Sequence, residues 1–314
     1  MQPLISPIDK NLLKKELNEN TFLRYTNKGN NELYLINKDN APNVLLEIGR
    51  LREITFRAAG GGTGKALDLD EYDTGKFFYS QLIVWDPEDE EIIAGYRFIR
   101  GSDAFDKAAN AYHLATMHLF AFSQGFEKDF LPYTIELGRS FVRPDYQSEG
   151  RKGLFSLDNL WDGLGALTIK FSEIKYLFGK VTMYTSFNRE ARDGILWFLG
   201  HYFPDRGQLM RPHEALTLHQ FPAQLASEIG SMTYKDGHRI LNRYVRERDE
   251  NIPPLVNSYM NLSATMQSFG TSFNTTFGDV EETAILVTIA DIFPEKKSRH
   301  LDTYSRDKTP RAKS

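Results

Sequence analysis

The chain has 314 residues, a formal net charge of −4 and no cysteine, and 41% of its residues are hydrophobic. These values describe a globular protein that can bury a sizeable core, either as one large domain or as a core with an elaboration. The lack of cysteine excludes disulfides, a thiolate nucleophile and zinc sites built on cysteine. The slightly acidic balance argues against a nucleic-acid partner.

The first predicted elements are a short strand at 32–36 and a helix from about residue 40 to residue 59. Arg52 and Phe56 are four residues apart, so they share one face of this helix. An arginine on an apolar helix face needs a partner of opposite charge. The glycine-rich segment 60–64 ends the helix, and we interpret it as a flexible connector.

Two strands at 77–85 and 92–99 come next, and the turn residues between them predict an antiparallel hairpin. The acidic segment that precedes the hairpin contains Asp70 and Asp73. Arg97 lies on the second strand of the hairpin, where it alternates with apolar residues. This part of the chain therefore supplies charges of both signs next to predicted buried strands.

Glu136 and Arg139 lie three residues apart in an apolar segment that is predicted to be a strand. Burying such a charged pair is costly unless each charge is satisfied or has a function. Side chains three apart in a regular strand point to opposite faces, so these two share a face only if one residue is bulged out. Gly138 can form a bulge at little cost, and bulges are frequent beside active sites. The alternative is a salt bridge that serves stability alone.

The other predicted elements before residue 203 alternate between helices and strands. They are a helix around 115–125, a loop at 144–153, a helix at 154–171, a strand at 179–186 and a helix at 189–203. The segment from 204 to about 279 is predicted to be mostly helical, and 282–290 is predicted to be a last strand. We divide the chain into a core at 1–203, a mainly helical elaboration with a strand returning to the sheet at 204–294, and a basic flexible tail at 295–314.

The loop between the Glu136 strand and the next helix is suited to bind an anion. Its backbone N–H groups lie at a helix N-terminus, where they favour a phosphate group. The residues assigned to this cradle are Gln147, Gly150, Arg151, Lys152 and Gly153. Arg151 and Lys152 add positive charge to this cradle.

Strand, bulge, loop and helix together resemble the acyl-donor site of the GNAT superfamily. In that superfamily a six-residue motif, Gln/Arg-x-x-Gly-x-Gly/Ala, binds the pyrophosphate of coenzyme A. Gln147 and Gly150 match this motif, whereas Lys152 departs from it. The departure leaves room for a second kind of donor, a pantetheine carried on acyl carrier protein.

A set of charged and aromatic residues also resembles, in order and approximate spacing, the acyl-homoserine-lactone autoinducer synthases. The set is Arg52, Phe56, Asp70, Asp73, Arg97, Glu136 and Arg139. The sequence around these positions is more similar to the bacterial ornithine-lipid and glycine-lipid N-acyltransferases, a group often labelled hemolysin-like. The resemblance covers about residues 40–200 and leaves the segment from residue 204 onward unexplained.

The resemblance implies an α/β (α+β) fold with a GNAT-like central mixed, mostly antiparallel sheet flanked by helices. It implies an N-acyltransferase that moves a fatty, often 3-hydroxylated, acyl group from acyl carrier protein to the α-amine of glycine or ornithine in aminolipid biosynthesis. The donor, acyl carrier protein or coenzyme A, is then a substrate, and neither a tightly bound cofactor nor a metal is expected.

The resemblance also suggests roles for the site residues. Glu136 is the candidate general base, because the acceptor ammonium must lose a proton before it attacks a thioester. Arg139 and Arg97 are candidates to bind the acceptor carboxylate with their forked guanidinium groups. The remaining charged residues either hold the N-terminal helix and loop over the site or serve stability alone: Arg52, Asp70 and Asp73.

We predict a cytoplasmic protein, because the start of the chain lacks the pattern of a secretion signal and no apolar run approaches the ~18 residues of a membrane span. The basic residues at 295–314 form either a solvated terminus or a region attracted to the inner membrane surface. The competing functions are an acetyl-coenzyme A-dependent N-acetyltransferase, an acyl-homoserine-lactone-type signal synthase and a membrane-damaging protein. The last is disfavoured because the sequence shows neither signal nor span.

Overall fold

A central sheet of eight strands organises the protein, which the computed structural model describes over residues 1–147 and 155–303. The strands of the protein are β1 (Phe22–Tyr25), β2 (Glu32–Ile36), β3 (Ser80–Asp86), β4 (Glu91–Arg100), β5 (Phe105–Asp106), β6 (Ala111–Tyr112), β7 (Phe120–Phe122), β8 (Thr134–Val142), β9 (Tyr176–Tyr184), β10 (Met210–Pro212), β11 (Gln267–Asn274) and β12 (Val280–Thr288). The order in the sheet is β1-β2-β3-β4-β8-β9-β12-β11. β8 and β9 are parallel, and the other neighbours in this sheet are antiparallel. The predicted mixed, mostly antiparallel sheet is confirmed.

Helices cover the sheet on both faces. They are α1 (Lys10–Glu16), α2 (Pro42–Ala58), α3 (Glu71–Thr74), α4 (Ser156–Lys170), α5 (Arg189–Tyr202), α6 (Ala223–Ile229), α7 (Tyr234–Arg246), α8 (Pro254–Met260) and α9 (Pro294–His300). In the part of the chain that the structure describes, none of these helices has the length and apolar character needed to cross a bilayer.

Alternate residues of β3 show how the two faces are covered. Leu82 and Val84 pack into the core that α4, α5 and α7 share, whereas Ile83 and Trp85 pack into the core formed with α1 and α2. This is the two-residue period of a strand that is buried on both faces. The protein is therefore layered, with α2 on one side of the sheet and α4 on the other.

Most predicted elements before residue 203 are confirmed. The hairpin of β3 and β4 is antiparallel as predicted, and β2 and α5 match their predicted positions closely. α2 begins at Pro42, where the missing N–H and fixed φ of proline suit the first helical turn. Its buried side includes Val44, Ile48 and Leu51, which explains why the helix packs on the sheet.

One prediction of helix was wrong and a second was incomplete. The segment around 115–125 contains a 3₁₀ turn at Ala115–His118 and then β7, which pairs with the distant β10. The segment from 204 to 279, predicted to be mostly helical, contains α6, α7 and α8 but also β11, which pairs with β12. β7 is stabilised by a partner about 90 residues away in the chain, and local sequence patterns do not report such partners. β11 instead forms an antiparallel hairpin with β12, the next strand in the chain.

β8 and β9 separate in the middle of the sheet. Their pairing runs from Thr134 and Tyr176 to Leu137 and Gly179, although both strands continue beyond these positions. A Cβ atom on Gly179 would lie 2.5 Å from the carbonyl oxygen of Leu137, so the last paired position requires glycine. The two strands thus form a V-shaped opening.

The predicted bulge lies in β8, immediately after the point of separation. Gly95 and Arg97 of β4 pair with Phe141 and Gly138, so β8 has one extra residue between these positions. Arg139 has φ = 49°, a left-handed conformation, and is therefore the strained residue of the bulge. The sequence alone suggested a bulge at Gly138. The structure centres the bulge on Arg139.

We predict that Gly179→Ala destabilises the protein by about 1–3 kcal/mol, because the added methyl group would push β8 and β9 apart at their last paired position. Gly200→Ala in α5 is the matched control, since a Cβ atom there meets nothing within 4 Å. The control should stabilise the protein by about 0.5–1 kcal/mol. Urea unfolding followed by circular dichroism measures both, and equal effects of the two substitutions would contradict the close approach.

Candidate active site

A cavity of about 460 Å³ lies where β8 and β9 separate. Residues 136–142 of β8 form one wall, and Lys180, Thr182 and Tyr184 of β9 form the opposite wall. Phe56 of α2 and Leu255 of α8 close the cavity with apolar groups. The cavity therefore combines charged and apolar lining groups, as small-molecule sites often do.

Glu136 lies in this cavity and is only 2% exposed. Its Oε1 accepts hydrogen bonds from the backbone N–H of Thr116, at 2.8 Å, and from the Thr116 hydroxyl. Its Oε2 accepts one from the Tyr79 hydroxyl. A carboxylate oxygen has two acceptor sites, so among the described residues Oε2 keeps one site open. The carboxylate is thus held rigidly and can still accept a proton.

Tyr79 fixes the second oxygen of Glu136. Burial, and then the negative charge of Glu136, raise the pKa of the Tyr79 hydroxyl well above its usual value. The hydroxyl therefore stays protonated and acts as a donor to Glu136. It accepts a hydrogen bond from the backbone N–H of Ala115 at 2.8 Å, which ties this tyrosine to the 3₁₀ turn that also carries Thr116.

Arg52 anchors α2 beside the cavity and is completely buried. Its Nε donates to Asp68 at 3.0 Å, and its two terminal nitrogens donate to Asp73 at 3.0 and 3.1 Å. Asp73 also accepts from Gln81 at 3.0 Å. The arginine that sequence analysis left without a partner is therefore paired with two buried carboxylates, in a fork geometry that a lysine could not reproduce.

Arg97 extends this network towards the cavity. Its Nη1 donates to both oxygens of Asp70, at 2.8 and 2.9 Å, and to Asp73 at 3.3 Å. Its Nε is buried and makes no hydrogen bond to any described residue. Gly138 is the cross-strand neighbour of Arg97, and a Cβ atom there would lie 3.5 Å from that Nε.

Arg139 joins the network from the bulge. Its Nε lies 3.0 Å from Asp68 Oδ2, and its guanidinium carbon lies 3.8 Å from the centre of the Phe277 ring. The cation–π contact and the ion pair together support the left-handed backbone of this residue. Burial lowers the pKa of the Arg139 guanidinium, but an arginine remains charged in proteins.

The carboxyl groups of Asp68 and Asp73 stay ionised. Burial alone would raise the pKa of Asp68, but the charges of Arg139 and Arg52 outweigh burial and lower that pKa below its usual value. The pKa of Asp73 is lowered in the same way by Arg52 and Arg97, against the effect of burial. Arg52, Arg97 and Arg139 are thus balanced by Asp68, Asp70 and Asp73.

A second ion pair lies on the β9 side of the cavity. Lys180 Nζ is 2.9 Å from Glu282 Oε2, and Glu282 also accepts from Asn274 at 3.0 Å. Burial alone would raise the pKa of Glu282, but the Lys180 ammonium outweighs it and the pKa is lowered. Both residues line the cavity.

The structure brings most of the predicted site residues together. Glu136, Arg139, Arg97 and Phe56 line the cavity, as does Gln147. Arg52, Asp70 and Asp73 lie in the ion network beside it. Glu136 and Arg139 share the cavity but bind different partners, so the expected direct pairing of these two residues is not the arrangement that the structure shows. The predicted cradle residues Gly150, Arg151, Lys152 and Gly153 lie outside the described residues.

Sequence reasoning did not assign the residues that orient Glu136. Tyr79 and Thr116 contact its carboxylate, and Lys180 and Glu282 form the opposite ion pair. Asp68 was also left unassigned, although it belongs to the same acidic segment as Asp70 and Asp73. The spacing within that segment was the one signal that could have indicated it.

Comparisons with known proteins identify the relatives of this chain. Residues 51–155 match the family model described as an acetyltransferase (GNAT) domain. A glycine N(alpha)-acyltransferase of Bacteroides thetaiotaomicron is 55% identical over 97% of this chain and 91% of that protein. A glycine N(alpha)-acyltransferase of Phocaeicola vulgatus is 52% identical over 97% of this chain and 94% of that protein.

Solved structures of low sequence similarity were also found. An N-acyl amino acid synthase from uncultured soil microbes is 10% identical, with a TM-score of 0.38, over 86% of this chain and 94% of that chain. An acyl-homoserine lactone synthase that depends on coenzyme A is 12% identical, with a TM-score of 0.36, over 85% of this chain and 84% of that chain.

We predict that Asp73→Asn lowers the free energy of unfolding by about 3–5 kcal/mol at neutral pH, because it leaves two buried guanidinium groups short of a counter-charge. Since the folded pKa of Asp73 lies below its unfolded value, its contribution is present above about pH 4 and is lost as the pH falls through the folded pKa. The variant should therefore lose less stability than the wild type on acidification. Denaturant unfolding at several pH values measures both effects.

Asp39→Asn is the control for this prediction. Asp39 is an exposed aspartate paired with Lys38 on the surface. Such a pair contributes at most about 1 kcal/mol, so the control should stay close to the wild type at every pH. If both variants lose the same free energy of unfolding, the buried network does not make the proposed electrostatic contribution to stability.

Proposed function

The chain belongs to the family of the glycine N(alpha)-acyltransferases, and we propose that it acylates the α-amine of glycine with a fatty acyl group taken from a thioester. It is an N-acyltransferase that acts on an amino acid. The observation that carries the finer proposal is the Glu136 carboxylate, which is fixed by three donors and keeps one acceptor site open in the cavity where the strands separate.

The reaction begins with the removal of a proton from the acceptor. The ammonium of glycine gives a proton to Oε2 of Glu136, directly or through one water molecule, and the freed amine attacks the thioester carbonyl carbon. A C–N bond forms, the C–S bond breaks, and the nitrogen passes its remaining excess proton to the leaving thiolate. Glu136 then releases the first proton to water. Glu136 can do this without moving, because Tyr79 and Thr116 hold its carboxylate in place.

The acceptor carboxylate is bound by arginine in this proposal. Arg139 donates from its Nε to Asp68, and its Nη2 lies 3.7 Å from an Asp70 oxygen, so its Nη1 is the group that we expect to bind a carboxylate in the cavity. Arg97 contributes its positive charge from deeper in the network, where Asp70 and Asp73 hold it. Arg139 is therefore the primary carboxylate ligand and Arg97 supports it.

The charges of the cavity favour glycine over ornithine. The carboxylates that line it among the described residues are Glu136, which acts as the base, and Glu282, which is paired with Lys180. A second ammonium on the acceptor would have no free carboxylate to pair with, and an unpaired buried charge is costly. Glycine brings no such charge.

The thioester is placed along β8 beyond the bulge. β8 no longer pairs with β9 beyond Leu137, so we expect a backbone N–H of this released edge, near Arg139 and Ser140, to stabilise the oxyanion that forms on the carbonyl. The pantetheine arm then follows the cavity past Phe141 and Val142 towards Gln147. Residues 150–153 continue in sequence from there.

We propose acyl carrier protein as the carrier of the pantetheine. The support is the sequence at 147–153, where Lys152 replaces the small residue of the coenzyme A motif and adds to the positive charge of Arg151. An acidic carrier protein would be attracted to such a basic segment. The N-acylated product is amphiphilic, which fits aminolipid synthesis in the cytoplasm with transfer at the inner membrane surface.

We predict that Glu136→Gln lowers kcat by at least about 100-fold while the fold is kept, because glutamine preserves the shape but cannot accept the proton. The assay is the release of free thiol from an acyl donor in the presence of glycine. Glu214→Gln is the control, since Glu214 is an exposed carboxylate away from the cavity. Retained turnover in Glu136→Gln, with an unchanged circular dichroism spectrum, would remove Glu136 from the role of base.

The donor and the acceptor are tested together. We expect a higher kcat/KM with acyl carrier protein than with coenzyme A as carrier of the same acyl group, and with glycine than with ornithine as acceptor. Mass spectrometry of the products identifies each combination. An enzyme that used acetyl-coenzyme A best, or that preferred ornithine, would contradict the donor or the acceptor that we propose.

A further inference from the structure

The ion pair of Lys180 and Glu282 lies in the cavity, and the reaction described above gives it no role. Lys180 Nζ is 2.9 Å from Glu282 Oε2, and the two side chains are 15% and 6% exposed. Removing two charges from water is costly, and apolar residues of the same volume often stabilise a protein as well as such a pair does. Stability alone therefore does not explain why these charges line the cavity.

The strand register places Lys180 on the same face of the sheet as Glu136. Glu136 of β8 pairs with Phe178 of β9, so their side chains leave the sheet on one face. Lys180 is two residues beyond Phe178 and returns to that face. Gly138, two residues beyond Glu136, has no side chain to fill the space between the walls. Glu136 and Lys180 thus face the cavity from its two walls.

The 3₁₀ turn at Ala115–His118 contacts both of these groups. Glu136 Oε1 accepts a hydrogen bond from the backbone N–H of Thr116 at 2.8 Å, and Lys180 Nζ donates to the carbonyl of Ala115 at 3.5 Å. Both contacts are made to one peptide group, so the carboxylate and the ammonium lie within about 9 Å of each other. A carbon that carries the attacking nitrogen and the leaving sulfur fits between them, since a proton donor or acceptor works from about 3 Å.

The Lys180 ammonium keeps a donor for a substrate atom. An ammonium has three N–H groups. Glu282 accepts one of them, and the Ala115 carbonyl accepts a second at a long distance. Among the described residues Lys180 makes no further polar contact. Asn274 donates to Glu282 at 3.0 Å and so fixes the carboxylate that holds the ammonium.

We propose that Lys180 is the proton donor to the leaving sulfur, and that Glu282 positions its ammonium. This inference rests on the acyl transfer proposed above. As the C–S bond breaks, Lys180 Nζ gives a proton to the sulfur, so that a thiol leaves. The neutral Lys180 amine then takes the excess proton from the nitrogen of the new amide. The ammonium is restored, and one proton has passed from nitrogen to sulfur through Lys180.

The test varies the leaving thiol, because a basic thiolate needs a proton on departure and a weakly basic one does not. One donor is a decanoyl group on the pantetheine of acyl carrier protein or coenzyme A, which is an alkyl thiol. The other is the decanoyl thioester of 4-nitrothiophenol, a far more acidic aryl thiol. Mass spectrometry of N-decanoylglycine measures both rates, after subtraction of the reaction without enzyme.

Lys180→Arg is the decisive variant. Arginine keeps the positive charge and can pair with Glu282, but it does not release its proton in proteins. We expect kcat with the alkyl donor to fall by about 100-fold, and kcat with the aryl donor by about threefold at most. Glu282→Gln leaves the ammonium less well fixed, so it should cause a smaller loss that is again confined to the alkyl donor.

Lys175→Arg is the matched control. Lys175 is an exposed lysine just before β9 and does not line the cavity, so both rates should stay as in the wild type. Wild-type kcat of Lys180→Arg with the alkyl donor, or equal losses with the two donors, would overturn the role of Lys180 and leave acyl transfer intact. No N-decanoylglycine from the wild type with any of these donors would instead refute the proposed function itself.

Discussion

The separation of β8 from β9 beyond Leu137 and Gly179 is the constraint on which the rest of the structure depends. A continued parallel pair would close the sheet and leave neither a cavity nor a passage between its two faces. The bulge at Arg139 and the glycine at 179 lie next to this point and have complementary effects. Gly179 allows the last close approach of the strands, and the bulge turns β8 away immediately afterwards.

The buried charges follow from that opening. α2 and the acidic segment after it flank the cavity. Paired strands do not support them there, so other contacts must hold them in place. Arg52 and Asp73 supply this support, and they tolerate burial because each has a full set of partners. Arg139 enters the same network from the bulge through Asp68. The position of α2 and the position of the Arg139 guanidinium are therefore coupled.

Sequence reasoning predicted the kink in β8 because a charged pair three residues apart in a strand violates the two-residue period. It could not tell which residue adopts the left-handed conformation. That choice depends on Asp68 and Phe277, which contact Arg139 from distant parts of the chain. The orientation of Glu136 was also beyond prediction, since Tyr79 and Thr116 are 57 and 20 residues away from it in sequence. Regular helices and hairpins, by contrast, carry their signals locally, and so α2 and the pair of β3 and β4 were predicted correctly.

Opening the sheet costs less free energy than losing a strand would, because β8 and β9 each stay paired with their outer neighbour. β8 pairs with β4 as far as Val142, and β9 pairs with β12 as far as Tyr184. Only the inner edges are released, and such edges normally invite unwanted strand pairing. Here they face a cavity of limited size, where a ligand can hydrogen-bond to them in place of a strand. A pantetheine arm, which carries amide groups at intervals, is suited to this role, and this is the physical reason why a thioester donor fits an opening of this kind.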